Sequence, residues 1–214
     1  KIIKKIVEKL SDILPMATQI QIYLPSSGTR ESDTGSIERL EFGCYETFKE
    51  SVDKISKQDL TKVKSLLCKE ECGYHVDNTF MEYLCGFRQI TEIIILDPLH
   101  HVTQLPSPYL TQLRHLFICN DRNVSVDNTD LKFIGQSLEI IDLRHNNQID
   151  DDGLRYCPHL RVIRLPANMS ITNRGLLLCP KLEEVILYGN FNVTPDILTH
   201  FPHLKIKTEK FSCP

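Results

Sequence analysis

The strongest constraint on this chain is a frame that recurs every 22 residues toward its C-terminal end. "LEIIDLRHN" (138–146), "LRVIRLPAN" (160–168) and "LEEVILYGN" (182–190) share the pattern L-x-x-[IV]-x-L-x-x-N. "LRHLFICND" (113–121) and "ITEIIILDP" (90–98) keep the pattern without the final Asn. "VKSLLCKEE" (63–71), "IERLEFGCY" (37–45) and "ATQIQIYLP" (17–25) are looser copies, and a degraded copy starts at Leu204. The starts at 17, 37, 63, 90, 113, 138, 160, 182 and 204 are 20 to 27 residues apart. Self-similarity at such a period marks a stacked-repeat architecture, in which no single unit buries its apolar face alone.

A second frame runs in phase with the first. "VDNTFMEYL" (76–84), "VDNTDLKFI" (126–134), "IDDDGLRYC" (149–157), "ITNRGLLLC" (171–179) and "VTPDILTHF" (193–201) align, with "VDKISKQDL" (52–60) and "VTQLPSPYL" (102–110) as looser members. The residue after the Val or Ile is Asp53, Asp77, Thr103, Asp127, Asp150, Thr172 or Thr194. All are types whose side-chain oxygen caps a helix by accepting backbone N–H bonds. Pro195 then suits a first turn, and the helices are expected to end before Pro158, Pro180 and Pro202. The run Asp150–Asp152 resembles a metal or hydrolytic cluster when taken alone. In phase, Asp150 is expected to be a cap, with Asp151 and Asp152 in a first turn where the helix dipole favours negative charge. Cys157 aligns with Cys179 and Phe201 as a core position, and His159 aligns with Lys181 and His203 in an exposed slot.

Each repeat is therefore predicted to be a short strand, a turn, an outer helix and a return. Stacking places Leu160, Ile163 and Leu165 against Leu138, Ile141 and Leu143 on one side and Leu182, Val185 and Leu187 on the other. The 22-residue copies, with "CPHL" and "CPKL" after "IDDDGL" and "ITNRGL", resemble the cysteine-containing subtype of the leucine-rich repeat. That subtype is familiar from F-box/leucine-rich-repeat subunits of ubiquitin ligases. The resemblance is specific from 126 to 204 and weaker, though in phase, from 17 to 125. It departs at Phe201, which replaces the cysteine before Pro202. It implies an α/β leucine-rich repeat solenoid, or horseshoe, with a parallel concave β-sheet and convex helices or turns. It also implies that Asn146, Asn168 and Asn190 bond backbone groups of neighbouring turns, which would otherwise be orphaned. In function it implies a recognition scaffold like the substrate-binding half of such adaptors, although no F-box occurs within these residues.

The whole chain, 1–214, is expected to be one leucine-rich repeat domain. Residues 1–16 form its N-terminal capping helix, 17–203 about eight repeats, and 204–214 a degraded terminal repeat. Ile2, Ile3, Ile6, Val7, Leu10, Ile13 and Leu14 share one helical face, which suits a cap over the end of the stack. The alternative is the tail of a preceding domain. Charge interleaved with these residues argues against a secretory signal, and a start at Lys1 fits a trimmed or mature fragment. "LPSSGTRESDTGS" (24–36) is polar and turn-rich and is expected to be a solvent loop.

A formal charge of -3 provides no basic field for nucleic acid or an anionic membrane. No apolar run approaches the ~20 residues of a membrane span. The eight cysteines include no C-x-x-C pair and no zinc-ligand spacing, so most are expected to be reduced, buried thiols. A cytoplasmic location follows, with a nuclear one as an alternative. N-x-[ST] sequons at Asn123, Asn168 and Asn192 keep a secreted location open as another.

No catalytic, cofactor or metal site is expected. The chain contains no G-x-x-x-x-G-K-[ST], G-x-S-x-G or H-E-x-x-H. His100 and His101 are expected in a surface loop, and Cys68, near Cys72, falls on an apolar frame position. His115 and His145 lack an evident partner base. What remains is the strand face that points away from the core, formed by the third, fifth and seventh frame positions. The third-position column reads Glu92, His115, Ile140, Val162 and Glu184. The fifth reads Ile94, Phe117, Asp142, Arg164 and Ile186, and the seventh Leu96, Cys119, Arg144, Pro166 and Tyr188. Aromatic residues and arginines within apolar patches are what protein interfaces enrich. The expected partner-binding residues are therefore Glu92, Ile94, Leu96, His115, Phe117, Ile140, Asp142, Arg144, Val162, Arg164, Glu184, Ile186 and Tyr188. The partner is expected to be another protein, with no nucleic acid, membrane or small-molecule substrate. The alternative is a secreted or pathogen-derived effector or receptor-type domain using the same surface.

Overall fold

Short runs rich in β-branched residues, separated by turn signals and caps, form strands too short to stand alone. A computed structural model describes residues 29–31, 37–42, 61–68, 84–95, 105–118, 126–144 and 146–208. Among the described residues, nine strands form one sheet in chain order. They are β1 (Thr29–Glu31), β2 (Ile37–Phe42), β3 (Ser65–Cys68), β4 (Glu92–Ile95), β5 (His115–Ile118), β6 (Ile140–Asp142), β7 (Val162–Arg164), β8 (Glu184–Ile186) and β9 (Lys205–Lys207). β1 pairs antiparallel with β2, and every later pair is parallel. Parallel neighbours need a crossover. The described crossovers carry the 3-10 turn η1 (Ser107–Tyr109), helices α1 (Asn128–Ile134), α2 (Asp151–Leu154) and α3 (Asn173–Leu176), and the 3-10 turn η2 (Pro195–Thr199). This is an α/β solenoid, and its parallel sheet fits a leucine-rich-repeat build.

The register follows the sequence frame. Arg39, Ser65, Glu92, His115, Ile140, Val162 and Glu184, each the third position of its copy, are paired from strand to strand. Alternation then turns the fourth positions the other way. Leu66, Ile93, Leu116, Ile141, Ile163 and Val185 join Leu138, Leu143, Leu160, Leu165, Leu182 and Leu187 in one buried core. Each such side chain contributes about 1.5–3 kcal/mol by leaving water. Cys157 and Cys179 are fully buried in that core, with Phe201 packed against it. Burial pushes the Cys179 thiol up to about 12, and burial beside Cys179 raises Cys157 further. Both behave as small apolar residues.

Three departures from the sequence frame have physical reasons. First, a strand forms at an unexpected place; the copy at 17–25 and the helix at 1–16 lie outside the described residues. The edge of β2 opposite β3 is occupied by β1, from within the segment expected to be a solvent loop. Second, Glu184 pairs with Lys205, 21 residues on, so the last copy is one residue short. Counting from Leu204 would bury Lys207. The shortened copy puts Ile206 against the core instead and leaves Lys207 to pair with Glu184 at 2.9 Å. Third, Thr194 caps nothing with its side chain. The segment it opens is a 3-10 turn beginning at Pro195.

The caps at Asp127, Asp150 and Thr172 form as expected, while Asp53, Asp77 and Thr103 lie outside the described residues. Asp127 Oδ1 accepts from Thr129 N and Asp130 N, and Asp130 Oδ2 accepts from Asp127 N, closing a capping box. Asp150 Oδ1 accepts from Asp152 N and Gly153 N, and Thr172 Oγ1 from Arg174 N. The asparagines form a ladder. Oδ1 of Asn146, Asn168 and Asn190 each accepts from the backbone N–H groups two and three residues on. Nδ2 of Asn146 donates to Val126 O, and Nδ2 of Asn168 to Asn146 O. Nδ2 of Asn190 makes no such bond among the described residues. The residues before two of these asparagines, Ala167 and Gly189, have positive φ, a conformation that suits glycine and strains alanine.

Asp130 is a buried carboxylate that also accepts a 2.6 Å hydrogen bond from Ser107 Oγ, joining η1 to α1. Its pKa is raised, first by burial and last by the charge of Asp127. A folded-state value above the unfolded one gives a contribution fully present below the unfolded value of 3.8. That contribution is lost as pH rises through the folded value. Asp150 has the opposite sign, because the Asn128 amide beside it holds its carboxyl low. Asp130→Asn is expected to remove the first dependence. Urea midpoints measured from pH 3.5 to 7 should show wild type losing stability relative to the variant as pH rises through the mildly acidic range. A constant difference would contradict this assignment.

Candidate functional site

The third and fifth frame positions lie on the side of the sheet away from the core, as alternation requires. At the centre of this face Asp142, from β6, gathers two arginines. Its carboxylate accepts from Arg144 N at 3.1 Å, from Arg144 Nε at 3.1–3.2 Å and from Arg144 Nη2 at 2.6 Å. Arg164 Nη1, on the neighbouring strand β7, approaches the same carboxylate at 3.6 Å. The Arg164 guanidinium also lies over the Phe117 ring, 5.6 Å from its centroid. Charge over a ring face is attractive, the more so when desolvated. On one flank Ser65 Oγ donates to Glu92 Oε2 at 2.6 Å, and Glu92 Oε1 lies 3.5 Å from His115 Nδ1. On the other flank Glu184 meets Lys207.

The expected interface residues divide by exposure. Ile94, Phe117, Ile140, Asp142, Val162, Arg164 and Ile186 are all buried, Arg164 to 2%. They lie on the face away from the core, and an ion pair occupies its centre. Glu92, His115, Arg144 and Glu184 are half-buried, and Tyr188 is 43% exposed. The solvent-facing part of the expected interface is therefore its rim. Leu96 lies outside the described residues, as do Cys119, His100, His101 and His145. Ser65, Leu67 and Lys207 belong to the same columns and were missed. The signal for the first two lay in the frame itself, where they are the third and fifth positions of the copy starting at Val63. Lys207 was hidden by the one-residue deletion.

The Asp150–Asp152 run is dispersed over three roles. Asp150 caps α2, Asp151 accepts from Thr172, and Asp152 meets Arg155 and Arg174. Among the described residues no group of three or more His, Cys, Asp or Glu is placed to hold a metal. Likewise, among the described residues no helix is long and apolar enough to cross a membrane. Asn168, one of the sequon asparagines, is fully buried with its Nδ2 engaged in the ladder, so the folded chain leaves no room for a glycan there.

No family model matches this chain, and no curated protein sequence does. Among solved structures, it is similar to a chain of the Drosophila Toll–Spatzle complex at 13% identity and a TM-score of 0.44, covering 81% of this chain and 31% of that one. It is also similar to a protein from Bacteroides fragilis at 14% identity and a TM-score of 0.41, covering 96% of this chain and 82% of that one. The chain thus spans about a third of the Toll-complex chain it matches.

Proposed function

We propose that this chain is a non-catalytic protein-recognition scaffold whose partner meets the sheet face along its rim. The observation that carries the reading is the fixed rim arginine. Arg144 is bound by its own backbone N and by its guanidinium to the buried Asp142 carboxylate, on a face that also carries half-buried Glu184 and exposed Tyr188. Arginine and tyrosine are residue types that interface hot spots enrich, and immobilising the arginine beforehand lowers the entropy cost of binding. Within this reading the finer proposal is a substrate-recognition adaptor of the F-box/leucine-rich-repeat kind, working in the cytoplasm. It is supported by the cysteine-containing repeats and by the buried free thiols of Cys157 and Cys179. Titrating eight thiols in the unfolded chain without reductant would favour it. Fewer than eight would favour the secreted or effector alternative, which Asn168 no longer supports as a glycan site.

The recognition face is tested by placing a photo-crosslinking amino acid at Tyr188 and, separately, at Leu177, which is exposed on the helix side. Irradiation in an extract of the native source should give discrete protein adducts from position 188 and none from 177. Adducts from 177 alone would move the interface to the other side of the stack.

A further inference from the structure

Between the helices runs a second set of cross-repeat bonds, made by the residue that follows each cap. Asn128 Oδ1 accepts from Asp150 N at 3.3 Å, and its Nδ2 donates to Asp150 Oδ1 at 2.8 Å. Asp151 Oδ1 accepts from Thr172 N at 2.8 Å, and its Oδ2 accepts from Thr172 Oγ1 at 2.7 Å. Asn173 Oδ1 accepts from Thr194 N at 2.9 Å, and its Nδ2 donates to Thr194 Oγ1 at 2.7 Å. In all three, one oxygen takes the backbone N–H of the next cap. The second atom is matched to that cap's side chain: amide to carboxylate, carboxylate to hydroxyl, amide to hydroxyl. We infer that these pairs form a pairing code, which fixes which repeat can follow which and holds the helices in phase with the sheet.

The code has a forbidden combination. Asp after one cap and Asp as the next cap would set two carboxylates together with no proton between them. Among the described residues Asp serves in both roles, at Asp151 and Asp150, but not facing each other. Space for the bonds is also built in. A Cβ on Gly153 would lie 2.1 Å from Asn128 Oδ1, and one on Gly175 would lie 2.3 Å from Asp151 Oδ1 and 2.9 Å from Asp151 Cα. Pro195 stands where the next pairing residue would be and offers no side-chain hydrogen bond. Asp and Thr are both good caps. Exchanging them therefore leaves capping intact and changes only the match.

The test is a double-mutant cycle on thermal unfolding of the full chain. Asn128→Asp should lower Tm by about 2–4 °C or more, and adding Asp150→Thr should recover most of the loss by recreating the pairing seen at Asp151 and Thr172. Reciprocally, Thr172→Asp should destabilise, and adding Asp151→Asn should rescue by recreating the pairing of Asn128 and Asp150. Hydrogen exchange at the Asp150 and Thr172 amides should quicken in each single variant and slow again in each double. Additive losses in both cycles, with no rescue, would overturn the inference. Should Asn128→Asp fail to fold, the cycle at 151 and 172 decides alone.

Discussion

Asn168→Ala is expected to lower stability by about 2–4 kcal/mol, measured as a fall in the urea midpoint at constant slope. The side chain is fully buried and serves three backbone groups, accepting from Ser170 N and Ile171 N and donating to Asn146 O. Removing it strands all three where water reaches poorly, and an unsatisfied buried group costs about 1–3 kcal/mol. Asn190 provides the internal comparison. It holds two of the same three bonds, and its Nδ2 makes none among the described residues. Asn190→Ala should therefore cost measurably less than Asn168→Ala. Equal losses would mean that the link between turns contributes nothing and that each asparagine only stabilises its own turn.

Asp142→Ala is expected to be at least as damaging, at about 3–5 kcal/mol. Its carboxylate is out of contact with water and is shared by Arg144 and Arg164. Its removal leaves the two guanidiniums near one another in a desolvated place without the charge that balances them. Replacing Asp142 and Arg164 together, by Leu and Met, should recover much of the loss, because a buried ion pair is often no better than a packed apolar pair. Chemical denaturation of wild type, single and double variants distinguishes these outcomes. A single variant within 1 kcal/mol of wild type would show that the cluster is solvated and structurally idle. The same variants separate structure from recognition. Loss of Arg144's anchor should reduce crosslinking from Tyr188 in the double variant even where stability returns.

The phase of the stack was legible because apolar spacing and cap chemistry repeat independently and agree. The strand register follows the frame from Arg39 to Glu184. The caps at Asp127, Asp150 and Thr172 were equally legible, since few residue types accept N–H bonds at that place. The degraded last copy was misaligned because a leucine can be matched at Leu204 while the residue directly after it is missing. Only the cost of burying Lys207 decides the register. The β1 hairpin escaped notice because three polar residues at an edge carry no apolar alternation. The candidate site was legible as a face but not as an environment. Period two tells which way Phe117, Asp142 and Arg164 point, and it is silent on whether water reaches them. Cross-repeat pairs such as Asn128 with Asp150 were visible as columns. Their meaning depended on distances that a column does not contain.

One more column runs along the outer margin of the strands. Arg114 meets Glu139, and Arg161 meets Glu183 through two 2.8 Å bonds. Glu139 in turn acts on Arg161, and Lys205 on Glu183. From Arg114 to Lys205 the signs alternate at every step. Such exposed pairs are individually weak. Their order nevertheless gives the molecule a parity. Excising one repeat from the interior would bring Glu139 beside Glu183 or Arg114 beside Arg161, whereas excising two adjacent repeats restores opposition. The unit by which this stretch can be shortened or lengthened without electrical conflict is thus a pair of repeats.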